Sequence, residues 1–179
     1  MPQWEDLSQW MKVTIATVIC HEWELLTFNI NLHPDLESKL VVDGNVRSRL
    51  AERLRKQLGK EIGLGREYFF VIEGHNSGNG AQTYLHMDGA IALNDLSERA
   101  QIKNALARAA GQDVRGGVRI PRSVHTAKFE TVRAAYMNYL FKFALRRDPR
   151  LDERRLVMSN SMTQAARDFW HTIARGELS

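Results

Sequence analysis

At 179 residues, 44% of them hydrophobic and 26% charged, the chain is long enough to bury a core and too apolar to be a disordered polymer. Its net charge of +4 permits nucleic-acid binding without requiring it, and the lone Cys20 excludes an intramolecular disulfide and suits a reducing cytoplasm. No apolar run approaches the roughly 20 residues a membrane helix needs, and no basic stretch leads into a long apolar core as in a secretory leader.

The first 21 residues are ambiguous. Trp4, Leu7, Trp10 and Met11 follow helical spacing, whereas Val13 to Cys20 suits a helix end or a strand. From Trp23 to Leu32 the pattern alternates: Leu26, Phe28, Ile30 and Leu32 make an apolar face, and Thr27, Asn29 and Asn31 a polar one. Pro34 ends this strand. Those polar side chains fit a half-exposed strand, or a surface that hydrogen-bonds nucleic acid.

Asn45 to Ile62 carries Val46, Leu50, Leu54, Leu58 and Ile62 at helical spacing, started by Asp43-Gly44-Asn45 and stopped by Gly63. Arg47, Arg53 and Lys56, with further Arg and Lys residues, make its outer face basic. That face is a solvated surface or a phosphate-contacting stripe.

Tyr68 to Leu93 reads as a β-hairpin, its strands joined by the GHNSGNG loop segment. In its second strand Leu85, Met87, Gly89 and Ile91 share one face, and Tyr84, His86 and Asp88 the other. Folding the hairpin brings Glu73 back toward His86 and Asp88. Two carboxylates and one imidazole suit Mg²⁺ or Mn²⁺ better than a structural zinc. His75 and His125 are further candidate ligands or base contacts, ranked below Glu73.

Leu96 to Ala110 reads as a helix, and Val118 to Lys128 as mostly extended. Phe129 to Leu145 reads as a helix with Val132, Tyr136, Tyr139, Leu140 and Phe143 on its apolar side. Tyr139 lies at the margin of that stripe, with Lys142 one turn further on. Arg154 to Gly176 reads as a last helical segment, broken at Ser159-Asn160-Ser161 and capped by Thr163. One domain over residues 1–179 is expected, with 150–179 a C-terminal helical extension. No Walker A glycine loop is present, so no attached helicase domain is expected. The element order points to an α+β sandwich with an antiparallel sheet and flanking helices.

Glu73, His86-Met87-Asp88 and Tyr139-x-x-Lys142, in that order on strand, strand and helix, resemble the HUH rolling-circle replication initiators, circovirus-type Reps above all. The resemblance spans about residues 24–145. Asp88 stands where that family has a second His or a Gln. The resemblance implies a five-stranded ferredoxin/RRM-like fold, with Glu73, His86 and Asp88 holding a divalent metal. Tyr139 becomes the nucleophile, with Tyr136 as alternative, and Lys142 a stabiliser of developing charge. Thr27, Asn29, Asn31, Arg47, Arg53 and Lys56 are then DNA contacts. It also implies a cytoplasmic endonuclease and nucleotidyltransferase that nicks single-stranded origin DNA through a phosphotyrosine intermediate, with a helicase of the host or element as partner and no membrane. The competing expectation is a catalytically inactive, RRM-like nucleic-acid-binding protein.

Overall fold

The computed structural model describes residues 1–20, 24–75, 80–112, 124–129, 139–140 and 147–176. The ambiguous N-terminus is a helix, α1 (Gln9–Ile19), which starts where the Ser8 hydroxyl accepts a hydrogen bond from the Met11 amide. Strand β1 (Leu25–Asn31) follows. Pro34 ends the extended chain, as anticipated, but it also opens a helix not read from sequence, α2 (Pro34–Asp43). Its fixed φ suits the first helical position, and Gly44 closes the helix in the left-handed region. The basic helix is α3 (Val46–Glu61), the hairpin is β2 (Tyr68–His75) with β3 (Gln82–Ala92), and a 3₁₀ turn at Leu96–Glu98 leads into α4 (Arg99–Ala109). Strand β4 (Val124–Phe129) takes up the end of the stretch expected to be extended and runs one residue past it, into Phe129, which was expected to begin a helix.

The C-terminal segment departs from expectation. Leu156–Met158 is a strand, β5, and the last helix, α5, begins only at Asn160 and runs to Ala174. Its cap is Ser159, not Thr163: the Ser159 hydroxyl accepts from the Met162 and Tyr68 amides. Residues 156–158 are therefore part of the sheet. Three residues are too few to show a two-residue period against a helical background.

All strand pairs are antiparallel, in the order β4-β1-β3-β2-β5. This five-stranded α+β arrangement is that of a ferredoxin/RRM-like fold. The hydrophobic alternation decides which face each helix covers. Leu26, Phe28, Ile30, Phe70, Ile72, Met87 and Ile91 face α3 and α4, packing with Leu50, Leu54, Ile102 and Leu106. On the other face Leu25, Phe69, Val71, Ala90 and Ala92 pack with Val13 and Ala16 of α1, Met162 of α5, and Leu140. Among the described residues that second cover lies over Leu25, Phe69, Val71, Ala90 and Ala92. Beyond it the same face carries Asn29, Asn31, Tyr84, His86 and Glu73.

Two arrangements fix the hairpin that carries this polar half. Gly89 lies opposite Phe70, and a Cβ there would strike the Phe69 carbonyl and the Phe70 backbone, so only glycine lets β2 and β3 come this close. At the far end Arg150 uses all five of its guanidinium N–H groups. It donates to Asp148 Oδ1 (2.9 Å) and Oδ2 (2.7 Å), Glu37 Oε1 (2.7 Å), the Thr83 carbonyl (2.8 Å) and the Gly74 carbonyl (3.1 Å). Glu37 Oε2 accepts from the Leu85 amide, so α2, both hairpin strands and the 147–151 turn meet at one cation. Among the described residues no helix is long and apolar enough to cross a membrane.

Candidate functional site

The polar half of this sheet face is organised in transverse rows. In one row Asn31 of β1, His86 of β3 and Glu73 of β2 are direct neighbours. In the next, two residues along β3, come His125 of β4, Asn29 of β1 and Asp88 of β3. Because side chains alternate along a strand, Glu73, His86 and Asp88 project from the same face, as the sequence predicts.

Asp88 is buried yet fully engaged. Asn29 Nδ2 donates to its Oδ1 at 2.6 Å, and His86 Nε2 lies 3.4 Å from its Oδ2. The other ring nitrogen of His86, Nδ1, lies 3.3 Å from the Tyr84 carbonyl oxygen. Both ring nitrogens thus face acceptors, an arrangement that an imidazolium satisfies. Burial works to lower the affinity of His86 for its proton. The hydrogen bond and charge of Asp88, the Tyr84 carbonyl and the charge of Glu73 together outweigh it, so His86 titrates above its ordinary value.

Glu73 is 3% exposed. Arg155 Nη1, from the turn before β5, lies 3.4 Å from its Oε2, while its Oε1 is buried with no hydrogen-bond partner. Desolvation raises the Glu73 carboxyl to about 7, with Arg155 and His86 opposing the rise and Asp88 and Asp148 adding to it. A buried carboxylate with one oxygen left without a hydrogen bond is costly to keep.

Tyr139 reaches this site from far along the chain. Its neighbour Leu140 is buried in the second core cluster, which anchors that turn, while Tyr139 itself is 42% exposed. Its phenol is raised above the ordinary value by burial and then by the negative charges of Asp88 and Glu73, so it sits within their electrostatic reach. Tyr136 and Lys142 lie outside the described residues.

Other residues singled out from sequence are dispersed. Thr27, Asn29 and Asn31 are on the same face of β1 as that site, with Asn29 spent on Asp88. Arg47, Arg53 and Lys56 belong to α3, on the opposite side of the sheet, and the fold does not bring them together with those three. Two of them make internal bonds: Arg47 Nε donates to the Leu156 carbonyl (2.9 Å), and Arg53 donates to the Ala109 and Arg108 carbonyls (2.8 and 3.0 Å), closing the C-terminus of α4. His75 Nδ1 lies 3.9 Å from Asp148 at the Arg150 cluster, and exposed His125 lies across β1 from Asp88. Arg155 was missed by sequence reading. Nothing in an Arg-Arg pair after a loop signals a partner on another strand, and the strand that delivers it was itself read as helix.

The donor types suit a hard divalent cation, and Glu73 Oε1 is a buried oxygen still to be satisfied. As they stand, Glu73 turns to Arg155 and His86 to Asp88, and no three His, Cys, Asp or Glu side chains among the described residues close into a ligand set. No protein-family model, curated protein or solved structure matches the chain.

Proposed function

We propose that this chain nicks and rejoins single-stranded DNA by tyrosine attack, as a rolling-circle replication initiator of HUH type acting on the origin of a plasmid, phage or mobile element. The observation that carries the reading is the approach of Tyr139, from a separate helical turn, to the face shared by Glu73, His86 and Asp88. The Tyr139 oxygen attacks the phosphorus, the P–O3′ bond breaks, and the 3′ oxygen leaves and takes up a proton. The products are a 5′-phosphotyrosine and a free 3′-OH. The phosphodiester energy is retained in the new bond, so the reverse step reseals the strand without ATP.

Asp88, itself held by Asn29, lies beside His86 Nε2 and fixes the orientation of that ring on the strand face. Tyr139 needs help to ionise, because burial, and then the charges of Asp88 and Glu73, raise its pKa. A divalent ion such as Mg²⁺ or Mn²⁺, held by Glu73, His86 and Asp88, would supply polarisation of the phosphate and stabilisation of the phenolate. Lys142 is the further cation expected beside Tyr139. The reading calls for single-stranded origin DNA and a helicase as partners, in the cytoplasm.

A second reading is a nucleic-acid-binding module without chemistry. The Arg155–Glu73 pair favours it, since it occupies one carboxylate with a protein cation. Labelled single-stranded oligonucleotides incubated with Mn²⁺ separate the two. Nicking predicts an SDS-resistant protein–DNA adduct that is lost in Tyr139→Phe while DNA affinity stays within about twofold. Binding without an adduct in the native chain sinks the first reading in favour of the second. An adduct that persists in Tyr139→Phe refutes Tyr139 as the nucleophile.

A further inference from the structure

The row through Asn29 and Asp88 does not stop at β1. Its next member is His125 on β4, exposed at the edge of the sheet. Beside it lies an open groove of about 480 Å³ lined by Leu96, Arg99, Lys103, Val124, His125 and Thr126.

Its chemistry is one-sided. Arg99 and Lys103, four residues apart on α4, are one helical turn from each other and both exposed. Arg99 Nη2 donates to the Thr126 carbonyl at 2.7 Å, which fixes its guanidinium against the β4 edge and leaves the rest of its fork directed elsewhere. Lys103 has no carboxylate partner among the described residues. Glu98, the acidic residue next in the chain to Arg99, is already bound to Arg66 at 2.8 Å. Leu96, 50% exposed, and Val124 add an apolar wall. Cations, an imidazole and an apolar wall at the edge of a polar sheet match a flexible polyanion with flat apolar faces.

We propose that this groove is the path by which single-stranded DNA leaves the polar face of the sheet. Lys103 and Arg99 grip its phosphates, His125 links groove to site, and Leu96 underlies a base. This rests on the single-stranded-DNA reading above and extends it. From Asp88 to β4 is two strand spacings, roughly 10 Å, so the groove serves nucleotides beyond the one at Tyr139. It also assigns the electrostatic grip to α4, whose first turn flanks the β4 edge, not to α3, whose basic residues stand behind the sheet.

The test measures binding of oligonucleotides of about 4 and about 12 nucleotides, the range a small single-strand-binding domain engages. It compares the native chain, Lys103→Glu and Lys56→Glu, with Lys103→Gln as a milder variant should the reversal fail to fold. The longer oligonucleotide should bind Lys103→Glu about 5- to 10-fold more weakly, with its log K against log salt slope reduced by about 0.7 for the phosphate released. The shorter one and Lys56→Glu should stay near native. If the native chain binds both lengths but Lys103→Glu or Lys103→Gln loses nothing, this path is wrong and the single-strand reading survives. Loss in Lys56→Glu instead moves the path to α3 and overturns it. If the native chain binds neither length at low salt, the proposal and the reading beneath it both fall.

Discussion

Replacing Glu73 by Gln gives the most direct physical test of the site. Folding raises its carboxyl from 4.5 to about 7, mainly because burial disfavours the charge. A group whose folded pKa lies above its unfolded value stabilises fully below the unfolded value, and that contribution is lost as pH rises through about 7. At about 1.4 kcal/mol per pH unit, the interval from 4.5 to about 7 gives an upper bound of about 3 kcal/mol. Relaxation and water penetration around a buried charge hold the contribution below this bound, at about 2 kcal/mol. Gln has the same shape, keeps an oxygen for Arg155, and has no charge to bury. Urea unfolding of both proteins in chelator, from about pH 4.5 to about pH 8, gives the stability difference at each pH. Relative to Glu73→Gln, the native chain should lose about 2 kcal/mol across that range, most of it before pH 7, and the difference should then level off. Taking the difference cancels the titrating groups that do not interact with Glu73, whereas His86, whose pKa the charge of Glu73 helps to raise, responds to the substitution as well. A native-minus-variant difference that is flat with pH would show that Glu73 titrates normally and that the strained carboxylate does not exist.

Arg150→Met should destabilise by about 3–5 kcal/mol, because it strips buried Asp148 and Glu37 of their shared cation; a loss under 1 kcal/mol by urea titration would mean the cluster is not a keystone. Gly89→Ala should cost about 3 kcal/mol or more, since the new methyl meets strand backbone that cannot rotate away, and a native-like thermal midpoint would contradict the close approach of β2 and β3. Ser159→Ala removes the acceptor for both Met162 N and Tyr68 N and should cost about 2 kcal/mol, with early loss of amide protection at Tyr68 and Met162 in hydrogen exchange.

Much of the site was legible in the sequence because β-strand periodicity is local. Alternation from Thr83 to Ile91 is enough to put His86 and Asp88 on the polar face, and a hairpin returning through Glu73 puts that carboxylate opposite. The stripe of Val46, Leu50, Leu54 and Leu58 likewise determines a helix with its basic side outward. Other features depend on neighbours that no local pattern names. Pro34 ends one element and begins another, and only the chain after it shows which role prevails. β5 is three residues long and is a strand because the edge of β2 offers it partners at Phe69, Phe70 and Val71. That placement carries Arg155 to Glu73. The sequence specifies that α3 is amphipathic. Tertiary packing sets it on the face away from His86, and turns Arg47 and Arg53 from candidate phosphate contacts into donors to Leu156, Arg108 and Ala109 carbonyls. Periodicity determines what each element buries, whereas which elements share a face follows from chain path and from the polar groups each must satisfy on burial.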